Sequence, residues 1–155
     1  MAKSDGLKIC SLNCQGLGNF KKRKDVFQYL RKSNCSIFCL QDTHFDKSLE
    51  KLVANEWGFR VYFSSHDSRS RGVAILFNNN FEFKIHKTIT DCSGNFIIIE
   101  IEVLTKRFLL VNIYGPNKDN PNFYEKISNY VKELNNVNII MVGDWNLLIN
   151  PELDG

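Results

Sequence analysis

Short runs of apolar residues, each about the length of one strand, dominate the hydrophobic pattern of the chain. Runs of this length separated by turn residues are typical of β-strands. The segment NFIIIEIEV alternates apolar and acidic residues near its end, which predicts one buried face. The segment VNIIMVGD does not alternate and predicts burial of both faces. The predicted strands are 7–13, 36–41, 59–63, 72–77, 81–90, 95–103, 106–114 and 137–143.

Three segments between these strands carry apolar residues at helical spacing. The predicted helices are 20–33, 47–55 and 121–134, with Asn19, Asp46 and Asn120 as their expected N-caps. The second helix is expected to bury Leu49, Leu52 and Val53. The segment FNNNF at 77–81 predicts a hairpin turn between two strands. The order of elements predicts a layered α/β domain with a mixed sheet, largely antiparallel in its middle.

Charge is uneven along the chain, although the net charge of the whole chain is only +3. Residues 1–32 contain eight Lys or Arg side chains and two Asp side chains. Such a block is compatible with a phosphate-rich partner, and a solvated helix face explains it equally well. The candidate substrate-binding residues within the block are Lys21, Lys22, Arg23 and Lys24.

Several sequence features indicate an intracellular, reducing location without a membrane. No apolar run approaches the roughly 18 residues that a membrane span needs, and the N-terminal MAKSDGLKIC has no apolar core of a secretory signal. The five cysteines are odd in number and several lie within apolar runs, which predicts reduced thiols. We therefore expect a nuclear or cytoplasmic protein with no membrane partner.

Polar residues collect where four of the predicted strands end. They are Asn13 in SLNCQGL, Asp42 in CLQDTH, Tyr114 and Asn117 in VNIYGPN, and Asp144 and Asn146 in VGDWN. Each has an ordinary explanation as a cap, a turn residue or a strand aromatic. Together, in neighbouring strands, they predict one site at the edge of the sheet, where open α/β sheets commonly bind ligands.

These residue types fit the hydrolysis of a phosphate ester with the help of Mg²⁺, a hard cation that needs only one or two carboxylates. Asp42 is the expected direct ligand, and Asn13 is expected to hold a metal-bound water or a phosphate oxygen. Asp144 could orient or deprotonate the attacking water. Asn146 and Tyr114 would donate hydrogen bonds to the phosphate.

The blocks SLNCQGL, CLQDTH, RGVAILF, VNIYGPN and GDWN, in this order, resemble the endonuclease/exonuclease/phosphatase superfamily. The resemblance is strongest to the endonuclease domain of non-LTR retrotransposons. It implies a four-layer α/β sandwich of the deoxyribonuclease-I type. It also implies nicking of DNA with Mg²⁺ or Mn²⁺, which leaves a 3′-hydroxyl for reverse transcription. Asn117 matches a family asparagine near the site, and the implied partners are DNA and the reverse transcriptase domain of the same polyprotein.

Two departures from the family pattern leave other readings open. Asp42 stands where the family usually has glutamate, one methylene longer. The predicted domain over 1–155 ends before the C-terminal Ser-Asp-His motif of the family, so we expect an incomplete sandwich. Its second sheet would hold little beyond strands 106–114 and 137–143. The alternatives are an inactive retrotransposon remnant with residual nucleic-acid or metal binding, and a phosphatase of the same superfamily.

Overall fold

Two four-stranded sheets stack face to face and carry helices on their outer faces. The computed structural model describes residues 6–118, 120–134 and 138–146. The elements, in chain order, are β1 (Ile9–Asn13), α1 (Phe20–Lys32), β2 (Ile37–Gln41), α2 (Lys47–Trp57), β3 (Val61–Ser64), β4 (Val73–Phe77), β5 (Lys84–Thr90), β6 (Phe96–Val103), β7 (Lys106–Tyr114), α3 (Pro121–Glu133) and β8 (Asn138–Asp144). All eight predicted strands and all three predicted helices are present, with small shifts at their ends.

Both sheets are mixed, and each has a parallel pair next to antiparallel neighbours. The first sheet has the order β1-β2-β4-β3 and the second has the order β5-β6-β7-β8. Strands β1 and β2 are parallel, as are β7 and β8, and all the other pairs are antiparallel. The carboxyl ends of the two parallel pairs therefore define one edge of each sheet.

Three apolar cores separate the four layers. The first core lies between the first sheet and helices α1 and α2, and it includes Phe38, Leu40 and Trp57. The central core joins the two sheets, and the third core covers the outer face of the second sheet with α3. Strand β2 contributes to the first two cores because its neighbouring side chains point to opposite faces. This explains why it reads as a continuous apolar run.

The hairpin predicted at 77–81 is wrong, because the strands on either side of this turn lie in different sheets. Strand β4 pairs with β2 and β3, whereas β5 pairs with β6. The crossing segment is held by stacked rings: the Phe77 and Phe83 centroids are 4.5 Å apart, and those of Phe81 and Phe83 are 4.9 Å apart. Burial of these rings in the central core directs the chain across the sandwich.

The expectation of a sparse second sheet is also wrong, since β5 and β6 complete four strands with β7 and β8.

The predicted N-caps are confirmed: the side chains of Asn19, Asp46 and Asn120 accept hydrogen bonds from the first turns of their helices. The expected burial of Leu52 on α2 is wrong, because this side chain is 51% exposed. The predicted burial of both faces of VNIIMVGD is also wrong, because β8 is an edge strand of the second sheet and exposes Ile139 (46%) and Met141 (45%). None of the helices in the described ranges is long and apolar enough to cross a membrane.

A buried amide pair ties the two sheets together beneath the strand ends. The Asn112 side chain on β7 is fully buried and donates from Nδ2 to the carbonyl oxygens of Leu40 (3.1 Å) and Ala74 (3.0 Å) in the first sheet. Its Oδ1 accepts a 2.9 Å hydrogen bond from Gln41 Nε2. Unpaired buried amides are costly, so this geometry fixes how the sheets face each other.

Replacing Asn112 with alanine should lower the free energy of unfolding by about 3 kcal/mol, because it leaves buried polar groups unpaired. The urea midpoint measures this loss. Asn79→Ala removes the same amide at an exposed position and should change the free energy of unfolding by less than about 0.5 kcal/mol. Equal, small effects of the two substitutions would show that the amide pair does not hold the sheets together.

Candidate active site

The site forms where the carboxyl ends of the two parallel strand pairs meet across the sandwich. Asn13 ends β1 in the first sheet, and Asp144 ends β8 in the second sheet. Asn13 Nδ2 donates a 2.7 Å hydrogen bond to Asp144 Oδ2. Asp42 directly follows β2, and Tyr114 ends β7. The structure therefore brings the predicted polar strand ends together, as the sequence indicated.

Hydrogen bonds between successive loops form a closed ring around this edge, which we call the rim ring. Its backbone links are Gly16 N to Asp42 O (2.7 Å), His44 N to Arg71 O (2.8 Å), Gly72 N to Gly94 O (3.0 Å), Tyr114 N to Asn95 O (2.7 Å) and Gly115 N to Asp144 O (2.7 Å). The hydrogen bond from the Asn13 side chain to Asp144 closes the ring. The rim ring passes through both sheets and holds six chain segments around one edge.

Strained backbone is concentrated on the rim. Eight non-glycine residues in the described ranges have positive φ, and five of them lie here: Gln15 (50°), Asp42 (56°), His44 (58°), Arg71 (62°) and Asn146 (51°). Each such conformation costs roughly 1–3 kcal/mol and persists only where surrounding contacts enforce it. The rim ring supplies those contacts. Clusters of this kind occur at sites where side chains must point in defined directions.

Both carboxylate oxygens of Asp144 already have donors. Oδ2 accepts from Asn13, and Oδ1 accepts from the Asn146 backbone N–H at 2.9 Å. The side chain of Asn146 donates to the carbonyl oxygen of Gly115 at 2.6 Å. Gly143 precedes Asp144 with φ 143°, and a Cβ there would collide with the Ile113 carbonyl oxygen. The glycine thus permits close pairing with β7.

Asp42 lies beside a histidine that the sequence analysis did not assign. His44 Nε2 is 2.6 Å from Asp42 Oδ1, and both residues have left-handed backbone. A Cβ on Gly16 would lie 2.8 Å from His44 Nδ1, so the glycine makes room for the ring. His44 therefore holds one oxygen of the short Asp42 carboxylate and leaves the other oxygen for a ligand. In the sequence, the position of His44 two residues after Asp42 in CLQDTH could have indicated this contact.

The Tyr114 hydroxyl is affected by the negative charge of both carboxylates. Partial burial raises the pKa of Tyr114, and the negative charges of Asp42 and Asp144 raise it further. Hydrogen bonding with Asn146 and the charge of Arg71 oppose the increase without cancelling it. The hydroxyl therefore keeps its proton at neutral pH and can donate a hydrogen bond to an anion.

Asn117 lines a cavity of about 520 Å³, and Tyr114 lines the same cavity. Arg71 and Lys118 line the same cavity, and the sequence analysis missed both. Arg71 could have been found from strand pairing. Because β4 runs antiparallel to β2, with Val73 opposite Gln41, the start of β4 lies at the edge where β2 ends.

The donor set fits Mg²⁺. The oxygen donors at the edge are the carboxylates of Asp42 and Asp144 and the amide of Asn13. In the described ranges, no three or more His, Cys, Asp and Glu side chains are grouped so that they alone could hold a metal ion. A site of one or two carboxylates completed by water suits Mg²⁺ and does not suit structural zinc. Burial raises the pKa of the nearby Cys14 thiol to about 12, so this thiol is not a nucleophile.

The basic block on α1 divides into buried and exposed cations. The prediction that Arg23 contacts substrate is corrected, because its side chain is 2% exposed and forms two hydrogen bonds with Glu56, at 2.6 and 2.9 Å. Lys22 Nζ donates to the carbonyl oxygen of Cys14 at 2.8 Å, next to the site. Lys21 and Lys24 are exposed, and substrate binding by them stays a prediction.

Comparisons with known proteins agree with this geometry. A model of the Endonuclease/Exonuclease/phosphatase family matches residues 10–150. The chain is 26% identical over 147 residues to an uncharacterized 149 kDa protein of transposon TX1 from Xenopus laevis. That alignment covers 93% of this chain and 11% of the transposon protein. The chain therefore spans about a tenth of that relative.

Two solved structures show the same fold. The endonuclease domain of TRAS1, a telomere-specific non-LTR retrotransposon, aligns with a TM-score of 0.63 at 17% identity, over 92% of this chain and 61% of that domain. TDP2 from D. rerio, complexed with a single-strand DNA product, aligns with a TM-score of 0.69 at 18% identity, over 92% and 62% of the two chains. These likenesses confirm the predicted sandwich. The chain spans less than two thirds of each of these structures.

The Arg23–Glu56 pair predicts a pH dependence of stability. The hydrogen bonds from Arg23 lower the pKa of Glu56 below its ordinary value of 4.5. The stabilisation is therefore complete above the unfolded-state pKa and is lost as the pH falls through the lower folded-state pKa. Urea midpoints should fall in that acid range for the wild type. Glu56→Gln should be less stable at neutral pH and lose less on acidification.

Glu125→Gln is the matched control, because Glu125 is exposed on α3, and it should follow the wild-type curve. An acid response of Glu56→Gln identical to that of the wild type would contradict the role of the pair.

Proposed function

Since the chain belongs to the endonuclease/exonuclease/phosphatase family, as its match over residues 10–150 shows, we propose that it hydrolyses phosphodiester bonds of DNA with Mg²⁺. The observation that carries the proposal is the Asn13–Asp144 hydrogen bond, which joins the polar ends of two sheets into one site. Asp42, Tyr114 and Asn146 lie around this pair. Such a set can hold a phosphate and activate a water beside it.

We propose that Asp144 accepts the proton of the attacking water. Donors from Asn13 and the Asn146 backbone fix its carboxylate plane. Each oxygen still has a lone pair that can accept a further hydrogen bond. A carboxylate held in one orientation loses little entropy when it aligns the water with phosphorus. We assign Asp144 as the general base on this geometry.

We propose that Tyr114 and Asn146 bind the phosphate oxygens. The raised pKa of Tyr114 keeps its hydroxyl a donor at neutral pH. Asn146 is held beside it by the bond from its side chain to Gly115. Donors fixed before the reaction stabilise the charge that grows on the phosphate in the transition state. Asn117, in the adjoining cavity, would contact the strand on the same side.

Asp42 would be the direct Mg²⁺ ligand, with Asn13 beside it. When bound, the cation would supply positive charge to the phosphate and the leaving oxygen. His44 Nε2 lies 2.6 Å from Asp42 Oδ1, and we expect the other carboxylate oxygen to bind the cation. The shorter reach of aspartate is thus offset by a neighbour that fixes its direction. Mn²⁺ would suit the same oxygen donors.

DNA as the substrate is supported by what the similar proteins are. One is the endonuclease domain of a retrotransposon, and another was solved with a single-strand DNA product. The similar 149 kDa protein belongs to a transposon. We infer that this chain nicks DNA for a retrotransposon, with a reverse transcriptase domain as the partner that would extend the 3′-hydroxyl. Exposed Lys21 and Lys24 would contact the phosphate backbone.

Asp144→Asn should lower the rate of supercoiled plasmid nicking with Mg²⁺ by roughly 100-fold or more, because it removes the general base and keeps the side-chain shape. Chelation of the cation with EDTA should abolish nicking by the wild type. Conversion of supercoiled to open-circular plasmid on agarose gels measures both effects.

Asp25→Asn is the control: it removes one negative charge at an exposed position on α1 and should nick like the wild type. Wild-type nicking no faster than that of Asp144→Asn would refute the endonuclease proposal. Hydrolysis of phosphate monoesters without any nicking would favour a phosphatase instead.

A further inference from the structure

The cavity beside Tyr114 is a feature that the proposed reaction does not use in full. It has a volume of about 520 Å³, within the range of small-ligand sites. Arg71 and Lys118 line it together with the amide side chains of Asn95, Asn117 and Asn120. Tyr114 belongs to both the cavity and the reaction site, so a ligand in the cavity would adjoin the reacting phosphate.

The charges in the cavity favour an anion. Arg71 and Lys118 are its two cations, and no acidic side chain is among its described lining residues. Neither cation forms an ion pair with a carboxylate in the part of the chain that the structure describes. Two cations and no acid among the described lining residues favour a positive potential in this concave surface, where low-dielectric walls concentrate it.

The backbone holds Arg71 in a fixed position. Its φ is 62°, and its carbonyl oxygen accepts the 2.8 Å hydrogen bond from His44. The next residue, Gly72, donates to Gly94 at 3.0 Å. A Cβ on Gly72 would collide with the Thr43 hydroxyl, so the loop lies tightly against the segment that carries Asp42. Arg71 therefore starts from the same rigid rim as the expected metal ligand.

The hydrogen-bond donors that line the cavity also favour a phosphate as its ligand. A guanidinium presents paired N–H groups that match two phosphate oxygens, and Arg71 is the only arginine that lines the cavity in the described residues. Asn120 Oδ1 accepts from the Phe123 backbone in the cap of α3. The Nδ2 group of Asn120 is then available to a ligand. The site offers donors and positive charge, which is what a phosphate oxygen needs.

We propose that this cavity is a subsite for the DNA phosphate next to the one that is cleaved, with Arg71 as its main ligand and Lys118 as a second contact. The identity of the neighbouring cleaved group rests on the proposed function. The phosphate subsite itself rests on the cavity, its two cations and the fixed loop. It would make the protein prefer a bond inside a strand to an isolated phosphate ester, because only a strand fills both places.

DNA binding measured by fluorescence anisotropy in EDTA tests the subsite without any hydrolysis. A labelled duplex oligonucleotide is titrated at several salt concentrations. Arg71→Ala should weaken binding by about tenfold at low salt, because a charged hydrogen-bonding contact is lost. It should also reduce the slope of log affinity against log salt by about one. Arg71→Lys keeps the charge and should keep the wild-type slope.

Arg69→Ala is the matched control, since Arg69 is exposed on the same loop but does not line the cavity. It should leave the affinity within about twofold of the wild type. An equal effect of the two alanine variants would overturn the subsite in favour of a diffuse basic loop. Thermal melts that match the wild type confirm that Arg71→Ala is folded. Inorganic phosphate is the second probe. If free phosphate binds saturably and its binding depends on Arg71 as strongly as DNA binding does, the assignment of the cavity to a phosphate within a DNA strand is overturned.

The two proposals can fail separately. If the wild type does not nick plasmid but its DNA affinity depends on Arg71 as predicted, the proposed function fails and the subsite stands. If the wild type nicks plasmid and Arg71→Ala binds DNA with the wild-type slope, the subsite alone fails. With an active enzyme, Arg71→Ala should reduce kcat/KM on an oligonucleotide about tenfold, whereas the control Arg69→Ala should leave kcat/KM at the wild-type value.

Discussion

The hydrogen bond between Asn13 and Asp144 is the constraint on which the site depends. It joins the last residue of β1 in the first sheet to the last residue of β8 in the second sheet, at 2.7 Å. Without it, the rim ring would be an open series of backbone contacts. With it, each carboxylate and each strained loop has a neighbour on both sides. A site assembled from six segments can hold its geometry only when those segments constrain one another.

The buried amide pair acts one layer below the rim. Gln41 directly precedes Asp42, and Asn112 lies two residues before Tyr114. Their hydrogen bond and those from Asn112 to Leu40 and Ala74 fix the distance between the sheets. Polar groups this deep specify one arrangement, because a shift of either strand would leave them unpaired. The hydrogen bonds of this buried amide pair thus determine where the rim lies.

The sequence predicted the parts of this structure that depend on local pattern. All eight strands, all three helices and their caps follow from apolar spacing and from Asn19, Asp46 and Asn120 at the helix starts. The grouping of polar residues at strand ends was predictable because parallel strands end at a common edge. The hairpin at 77–81 was not, since a turn reads the same whether the chain returns to its own sheet or crosses to another. Here the stacking of Phe77, Phe81 and Phe83 determines that the chain crosses to the other sheet.

The rest of the site depends on long-range contacts, which single residues do not reveal. Arg23 looks like its lysine neighbours in sequence, and only the packing of α1 against α2 shows that Glu56 pairs with it. The antiparallel pairing of β4 with β2 brings Arg71 to the edge where β2 ends, and His44 Nε2 lies 2.6 Å from Asp42 Oδ1. Residue types alone therefore misassigned Arg23 and did not reveal the cations of the cavity.

Residue-resolved hydrogen exchange tests the rim ring most directly. The account predicts that the backbone amides of Gly16, His44, Gly72, Tyr114 and Gly115 are protected in the wild type, although most of them lie in loops. Asn13→Ala should speed the exchange of these amides together and leave the amides in the middle of β6 unchanged. Unprotected loop amides in the wild type, or rim amides that exchange at the same rate in Asn13→Ala, would contradict a site held by a closed ring across two sheets.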